Sequence, residues 1–385
     1  MKTKVKVVVV TSLSFTGTTW INTVLGCHDR AFALGPADRM WNMASTGEGY
    51  DKACLIHDAT CSFWPKFLEN YKQKKNFFSQ LASASGRDVI ITNNPLASGA
   101  GQELSNPDIN VRNINLIRDG RAILASYMRK FPSISALDAL TDFLYPSFRN
   151  FYFDQDNPDR LCLRYEDILA EKEEALKTIG EFVGLDYDPS ALKFWTFDHH
   201  ITSGNQGLIG LIKFGQGLPV ANFQSREFYE EQFNKTEATN DASFQDERWM
   251  EELTSRELFI FDLFCGPDNE RFGYERDRFT LAEISQYRGE LLDAIEAKTI
   301  KDEYVELIKS RLNTVDIASS SVESAYIAMP EEAVPSLKQQ CNKQYLMTHG
   351  LRLMPRHLRR LAKYATYATL TIMSFMLLTV LIYVI

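Results

Sequence analysis

Val7-Val-Val-Val10-Thr-Ser-Leu-Ser-Phe15-Thr-Gly-Thr-Thr-Trp20-Ile-Asn-Thr-Val-Leu25 decides the fold of this chain. Val5 and the unbroken run Val7 to Val10 predict a strand buried on both faces, the mark of a central parallel sheet. A turn of Ser, Thr and Gly follows, and an amphipathic helix opens at Thr18-Thr19-Trp20. Such a strand–turn–helix presents backbone N–H groups and the positive end of a helix dipole to an anion. Hydroxyls of Ser14, Thr16, Thr18 and Thr19 add donors. A grip on phosphate or sulfate is therefore expected within the first twenty residues.

The common triphosphate-binding loop needs two glycines with four residues between them, followed by Lys and Ser or Thr. Here there is one glycine and no lysine after it, which weakens an ATP or GTP kinase reading. Phe15-Thr16-Gly17-Thr18-Thr19-Trp20 instead resembles the 5′-phosphosulfate loop of the sulfotransferases, whose core reads Lys/Arg-Ser-Gly-Thr-Thr-Trp/Leu. Two further elements extend the resemblance. Val111 to Ile117 predicts a second buried strand running into Arg118, with Ser126 eight residues on, the spacing of the family's clamp on a 3′-phosphate. Arg suits that task as a forked, permanently charged donor. Leu161 to Arg164 predicts a third strand ending in Tyr165-Glu166-Asp167, before a helix that closes on Phe182-Val183-Gly184-Leu185. In the family the tyrosine lies near the adenine and the acidic pair is architectural.

The resemblance covers about residues 1–275 and favours the bacterial and carbohydrate-type enzymes. It implies a P-loop-like α/β fold, a parallel sheet flanked by helices, with 3′-phosphoadenosine 5′-phosphosulfate as co-substrate. It implies that Phe15, Thr16, Gly17, Thr18, Thr19, Trp20, Arg118, Ser126 and Tyr165 bind the nucleotide. Arg248, in Asp246-Glu247-Arg248-Trp249, would approach the 3′-phosphate from a closing loop, with Trp249 packed behind it. Residues 199–205 resemble part of the same closure, residues 25–35 the family's second strand, and Cys54 with Cys61-Ser62-Phe63-Trp64 a cysteine-containing loop of some members.

Departures from the pattern fall on the chemistry. Phe15 stands where the family carries Lys or Arg, a cation that neutralises charge on the leaving phosphate oxygen. Gly35-Pro36 replaces an expected carboxylate, and Asn93 replaces a histidine base of the phenol-type enzymes. The general base is left open among Asp38, His57 beside Asp58, and His199 or His200. Lys213 and Arg248 are the candidates for the missing cation. A P-loop nucleotide kinase and a catalytically degenerate, membrane-tethered nucleotide-binding protein stay open as alternatives.

Net charge −8 over 385 residues argues against nucleic acid as a partner. Six cysteines without CxxC pairs indicate neither a disulfide framework nor a metal site, and the transfer reaction as read here needs no metal. Cys54 and Cys61 are expected as free thiols, since the catalytic part is expected in the cytoplasm. Domain boundaries are expected as residues 1–278 for the sulfotransferase-like α/β part and 279–312 for a two-helix extension. Residues 313–363 read as a linker with a basic juxtamembrane stretch, and 364–385 as one transmembrane helix. The last segment is charge-free and about 20 residues long, enough to cross a bilayer. Arg352, Arg356, Arg359, Arg360 and Lys363 precede it, which predicts a single-pass membrane protein whose catalytic part faces the cytoplasm. An acceptor on a glycan or glycolipid near that membrane is the corresponding partner expectation.

Overall fold

A computed structural model of the chain describes residues 4–46, 54–93, 99–151, 158–220, 225–239, 247–313 and 324–325. Five parallel strands form one sheet in the order β2-β3-β1-β4-β5: β1 Val5–Ser12, β2 Ala31–Pro36, β3 Val89–Asn93, β4 Ile109–Ile117 and β5 Arg160–Arg164. β1 is central, pairing with β3 on one side and β4 on the other, and Val7 to Val10 have no exposed surface. Full burial of each such valine contributes about 1.5–3 kcal/mol. That is why the unbroken apolar run reads correctly as an interior strand. After β1 the chain heads for β2 at one edge, and after β4 it heads for β5 at the other. The carboxyl ends of β1 and β4 thus flank the point where the strand order reverses, where open α/β sheets place their ligands.

Helices cover the sheet. α1 (Thr18–Leu25), α2 (Ala37–Thr46), α3 (Phe63–Asn70) and α4 (Phe77–Ser85) come before β3, and the short α5 (Gly99–Glu103) precedes β4. α6 (Gly120–Lys130) leaves β4 and starts on an Asp119 cap whose carboxylate accepts from the Arg121 N–H. α7 (Ala136–Ala139) runs through a π-turn into α8 (Tyr145–Asn150). α9 (Tyr165–Ala170), α10 (Lys172–Val183), α11 (Gln206–Gly215), α12 (Arg226–Thr239) and α13 (Trp249–Glu252) follow β5.

α14 (Ser255–Arg271) is buried nearly all round, with Phe259, Ile260, Phe261, Leu263, Phe264 and Cys265 each at most 1% exposed. α15 (Leu281–Glu296) and α16 (Asp302–Asn313) are the two helices of the expected extension. Their Ile284, Leu291, Tyr304, Ile308 and Leu312 share one apolar cluster with α6 and α14. Two charged side chains inside that cluster are held by buried acceptors. Arg276 grips Asp262 through two 2.6 Å bonds, and Arg311 donates to the Phe264 carbonyl at 2.7 Å.

Among the described residues no helix is long and apolar enough to cross a membrane. The linker, the basic stretch and the transmembrane segment expected at 364–385 lie outside the described residues, apart from Ser324 and Ala325, which pair with Phe279 and Thr280.

Candidate functional site

The turn after β1 is wound by two left-handed residues, Phe15 at φ 66° and Gly17 at φ 80°. Gly17 is the cap of α1 and no side chain caps the helix, so its first-turn amides face the turn itself. The buried Thr16 hydroxyl donates to the Leu13 carbonyl at 2.8 Å, while the hydroxyls of Ser12 and Thr18 bond to each other. Thr19 Oγ1 accepts the Asn205 N–H at 3.0 Å, which brings the 199–205 segment onto the start of α1. Trp20 is buried beneath, with its indole N–H unpartnered among the described residues. A helix start with uncapped amides and a hydroxyl-lined turn is an anion cradle.

Arg118, at the end of β4, reaches this turn. Its guanidinium donates to the Phe15 carbonyl at 2.6 Å and stands 5.3 Å from the centre of the Tyr165 ring. Tyr165, opening α9 after β5, lies in turn against Gly17. A Cβ on Gly17 would come within 2.2 Å of the tyrosine ring. Three stretches read separately in the sequence therefore meet at one place, over the carboxyl ends of adjacent strands.

Around them the architecture is ionic. Glu166 accepts the Asp119 N–H at 3.1 Å and the Tyr274 hydroxyl at 2.5 Å, tying the β5–α9 junction to the β4–α6 junction. Arg121 is held by Asp119 and by Asp277 at 2.9 Å, with its charge over the Trp249 ring at 4.3 Å. The α13 start, with Arg248 just before Trp249, is thereby packed on α6. Ser126, on α6, accepts from the Arg129 guanidinium at 3.1 Å.

The candidates for proton and charge transfer separate. Asp38 lies in the first turn of α2, just past β2, and is partly buried. Asn93 sits across the register from Val10 and Pro36, at the carboxyl edge of three strands, and its Oδ1 is buried with no partner among the described residues. His199 is buried and faces the Phe194 carbonyl through Nε2 at 2.8 Å; burial pushes its pKa down to about 4, so it is a neutral packed histidine. His57 and His200 each face a cysteine through Nδ1 and Asp198 through Nε2, so both nitrogens of both rings are engaged. That engagement works against their reading as acceptor-side bases.

Lys213, from α11, is buried and held by Asp58 at 2.6 Å, which commits its charge to that carboxylate. Besides Arg118, a cation that no motif marks approaches the turn. Lys130, in the last turn of α6, places its ammonium 5.5 Å from the centre of the Phe15 ring. About three turns of helix separate it from the Arg118 motif in sequence, so no spacing rule points to it.

No protein-family model matches the chain, and no curated protein does. Among solved structures the chain is similar to a sulfotransferase domain from the Synechococcus PCC 7002 olefin synthase, with 15% identity and TM-score 0.41, over 62% of this chain and 96% of that one. It is similar also to a sulfotransferase domain from the curacin biosynthetic pathway, with 14% identity and TM-score 0.42, over 70% and 98%. A mouse sulfotransferase complexed with PAP matches at 14% identity and TM-score 0.34, over 69% and 85%. Likenesses this distant do not assign the chain to a family.

Proposed function

We propose that this chain is a sulfotransferase that moves a sulfuryl group from 3′-phosphoadenosine 5′-phosphosulfate to an acceptor hydroxyl or amine. The observation that carries the reading is the meeting of the Gly17 turn, Arg118 and Tyr165 over β1 and β4. In this reading the amides and hydroxyls of residues 15–20 hold the 5′-phosphosulfate, and Arg118 with Ser126 and Arg248 hold the 3′-phosphate. Tyr165 packs at the adenine. During transfer the acceptor oxygen or nitrogen forms a bond to sulfur as the bond from sulfur to the phosphate oxygen breaks. The acceptor's proton leaves to a base, for which Asp38, in the first turn of α2 just past β2, is the candidate. Charge then grows on the departing phosphate oxygen, and positioned donors lower that barrier. Lys130 over Phe15 is the cation best placed to serve in place of the family's loop lysine.

Phe15 itself favours a second reading, a protein that keeps the nucleotide and has lost the transfer. A P-loop kinase is the third, and it would require ATP with magnesium. Calorimetric titration with adenosine 3′,5′-bisphosphate against magnesium ATP separates the kinase from the other two. Transfer of labelled sulfate onto extracted lipids and glycans then separates enzyme from binding protein. We further propose that residues 364–385 tether the chain to a membrane with the α/β part in the cytoplasm, which favours a glycolipid or other membrane-proximal acceptor. Binding of magnesium ATP but not of the bisphosphate would overturn the sulfotransferase reading.

A further inference from the structure

Cys54, His57, Cys61 and His200 converge on one point, and nothing in the proposed transfer chemistry uses them. Their ligand atoms all lie within 4.8 Å of one another. Cys54 Sγ is 3.4 Å from His57 Nδ1, and Cys61 Sγ is 3.4 Å from His200 Nδ1. A tetrahedral zinc ion with bonds of about 2.3 Å to sulfur and about 2.0 Å to nitrogen sets S···N edges of about 3.5 Å. The two closest edges here already have that length.

The surroundings match the same assignment. Both histidines turn Nε2 to one carboxylate: His57 to Asp198 Oδ1 at 3.2 Å and His200 to Asp198 Oδ2 at 3.5 Å. A shared acceptor of this kind fixes the tautomer in which Nδ1 is the free lone pair, the usual outer partner of a metal-bound imidazole. The Cys54 sulfur accepts the backbone N–H of His57, three residues on, at 3.4 Å. The scaffold is tied independently, since the Leu55 N–H donates to the Ile201 carbonyl at 2.8 Å and the Trp64 indole to the His200 carbonyl at 2.9 Å. Phe63 stacks on His200 with ring centres 4.8 Å apart, closing one side with apolar surface. Both cysteines are free and buried.

We propose that Cys54, His57, Cys61 and His200 bind one zinc ion as a closed, structural Cys2His2 site, with Asp198 as the carboxylate that orients both imidazoles. Four protein ligands leave no open position, so the ion holds structure and does no chemistry. What it holds is the 198–205 segment. Beyond His200 that segment bonds β2 and α2, where the Thr202 hydroxyl donates to the Leu34 carbonyl at 3.1 Å and Arg39 donates to the Thr202 carbonyl at 2.7 Å. It then reaches Thr19 through the Asn205 N–H. Zinc would thereby fix the segment that touches the start of α1.

The test is metal content and metal affinity of the full-length chain, purified without chelator. One zinc per chain by elemental mass spectrometry is expected, and Cys61→Ser should lose it. Cobalt added to the apo chain should give the visible bands of a tetrahedral ion and a near-ultraviolet sulfur-to-cobalt band, whether or not Cys61→Ser folds. Asp198→Asn keeps all four ligands, and competition with a chromophoric chelator should show zinc bound about 10–100-fold more weakly. Wild-type chain that takes up neither zinc nor cobalt, or that carries a Cys54–Cys61 disulfide in place of metal, overturns the proposal. Nucleotide binding decides the transferase reading by a separate measurement, so either can fail alone.

Discussion

The Arg118 guanidinium donates a 2.6 Å hydrogen bond to the carbonyl oxygen of Phe15. The bond joins the loops that leave two adjacent parallel strands, so the residue read as a phosphate ligand also shapes the turn that would hold the other phosphate. A planar five-donor group can do both, because the carbonyl takes only one of its N–H groups. Binding and turn geometry are therefore coupled through one side chain.

From that coupling, Arg118→Ala should weaken adenosine 3′,5′-bisphosphate by about 2–4 kcal/mol, the range for losing a charged hydrogen-bond partner. Arg118→Lys should recover only part, since an ammonium cannot serve carbonyl and phosphate in the same fork. Calorimetry with the bisphosphate and with the 5′-monophosphate checks both. Equal losses for the two nucleotides would remove Arg118 from the 3′-phosphate.

Gly17→Ala meets two obstacles at once, a φ of 80° and a Cβ placed 2.2 Å from the Tyr165 ring. Left-handed strain of this kind costs about 1–3 kcal/mol, and the ring must also move. Lower thermal stability is expected together with loss of nucleotide binding. Adding Tyr165→Ala should restore part of the stability, because it removes the clash and leaves only the backbone strain.

Lys130→Ala should leave nucleotide affinity nearly unchanged and cut sulfuryl transfer by about two to three orders of magnitude, as loss of a transition-state charge does. Phe15→Lys should then restore transfer in the Lys130→Ala background. Transfer that is indifferent to Lys130 would return the cation to Arg248 or to none. Rates measured at saturating donor, alongside binding, separate these outcomes.

Asp262 is 1% exposed and paired to Arg276 through two 2.6 Å bonds inside the α14 core. Asp262→Leu takes both 2.6 Å bonds from a buried guanidinium, leaving it Glu270 at 3.5 Å, and should cost about 3–5 kcal/mol. The double variant Asp262→Leu, Arg276→Met should cost much less, because no unpaired charge is left. Chemical unfolding of the three variants measures the difference.

Periodicity and motif spacing along the chain were enough for the central strand Val7 to Val10, the turn at Gly17, the strands leading to Arg118 and Tyr165, and the helices after Phe279. Each rests on local physics: burial on both faces, a left-handed glycine, or apolar positions at helical spacing. The meeting of Gly17 with Tyr165 was only implied by resemblance, since it depends on β1, β4 and β5 lying in spatial order.

Contacts made by side chains from distant segments belong to tertiary structure alone. His57 reads as a base because Asp58 stands beside it, and His200 because it lies in the stretch that resembles a closing loop. Folding instead brings Asp198 and His200 beside the loop carrying Cys54, His57 and Cys61, and no spacing rule spans that distance. Lys130 reaches Phe15 only because α6 packs across the mouth of β1. Local sequence determined the strands and the turn, because hydrophobic burial and backbone conformation act over a few residues. Which charges and ligands face one another was decided by the packing of whole elements.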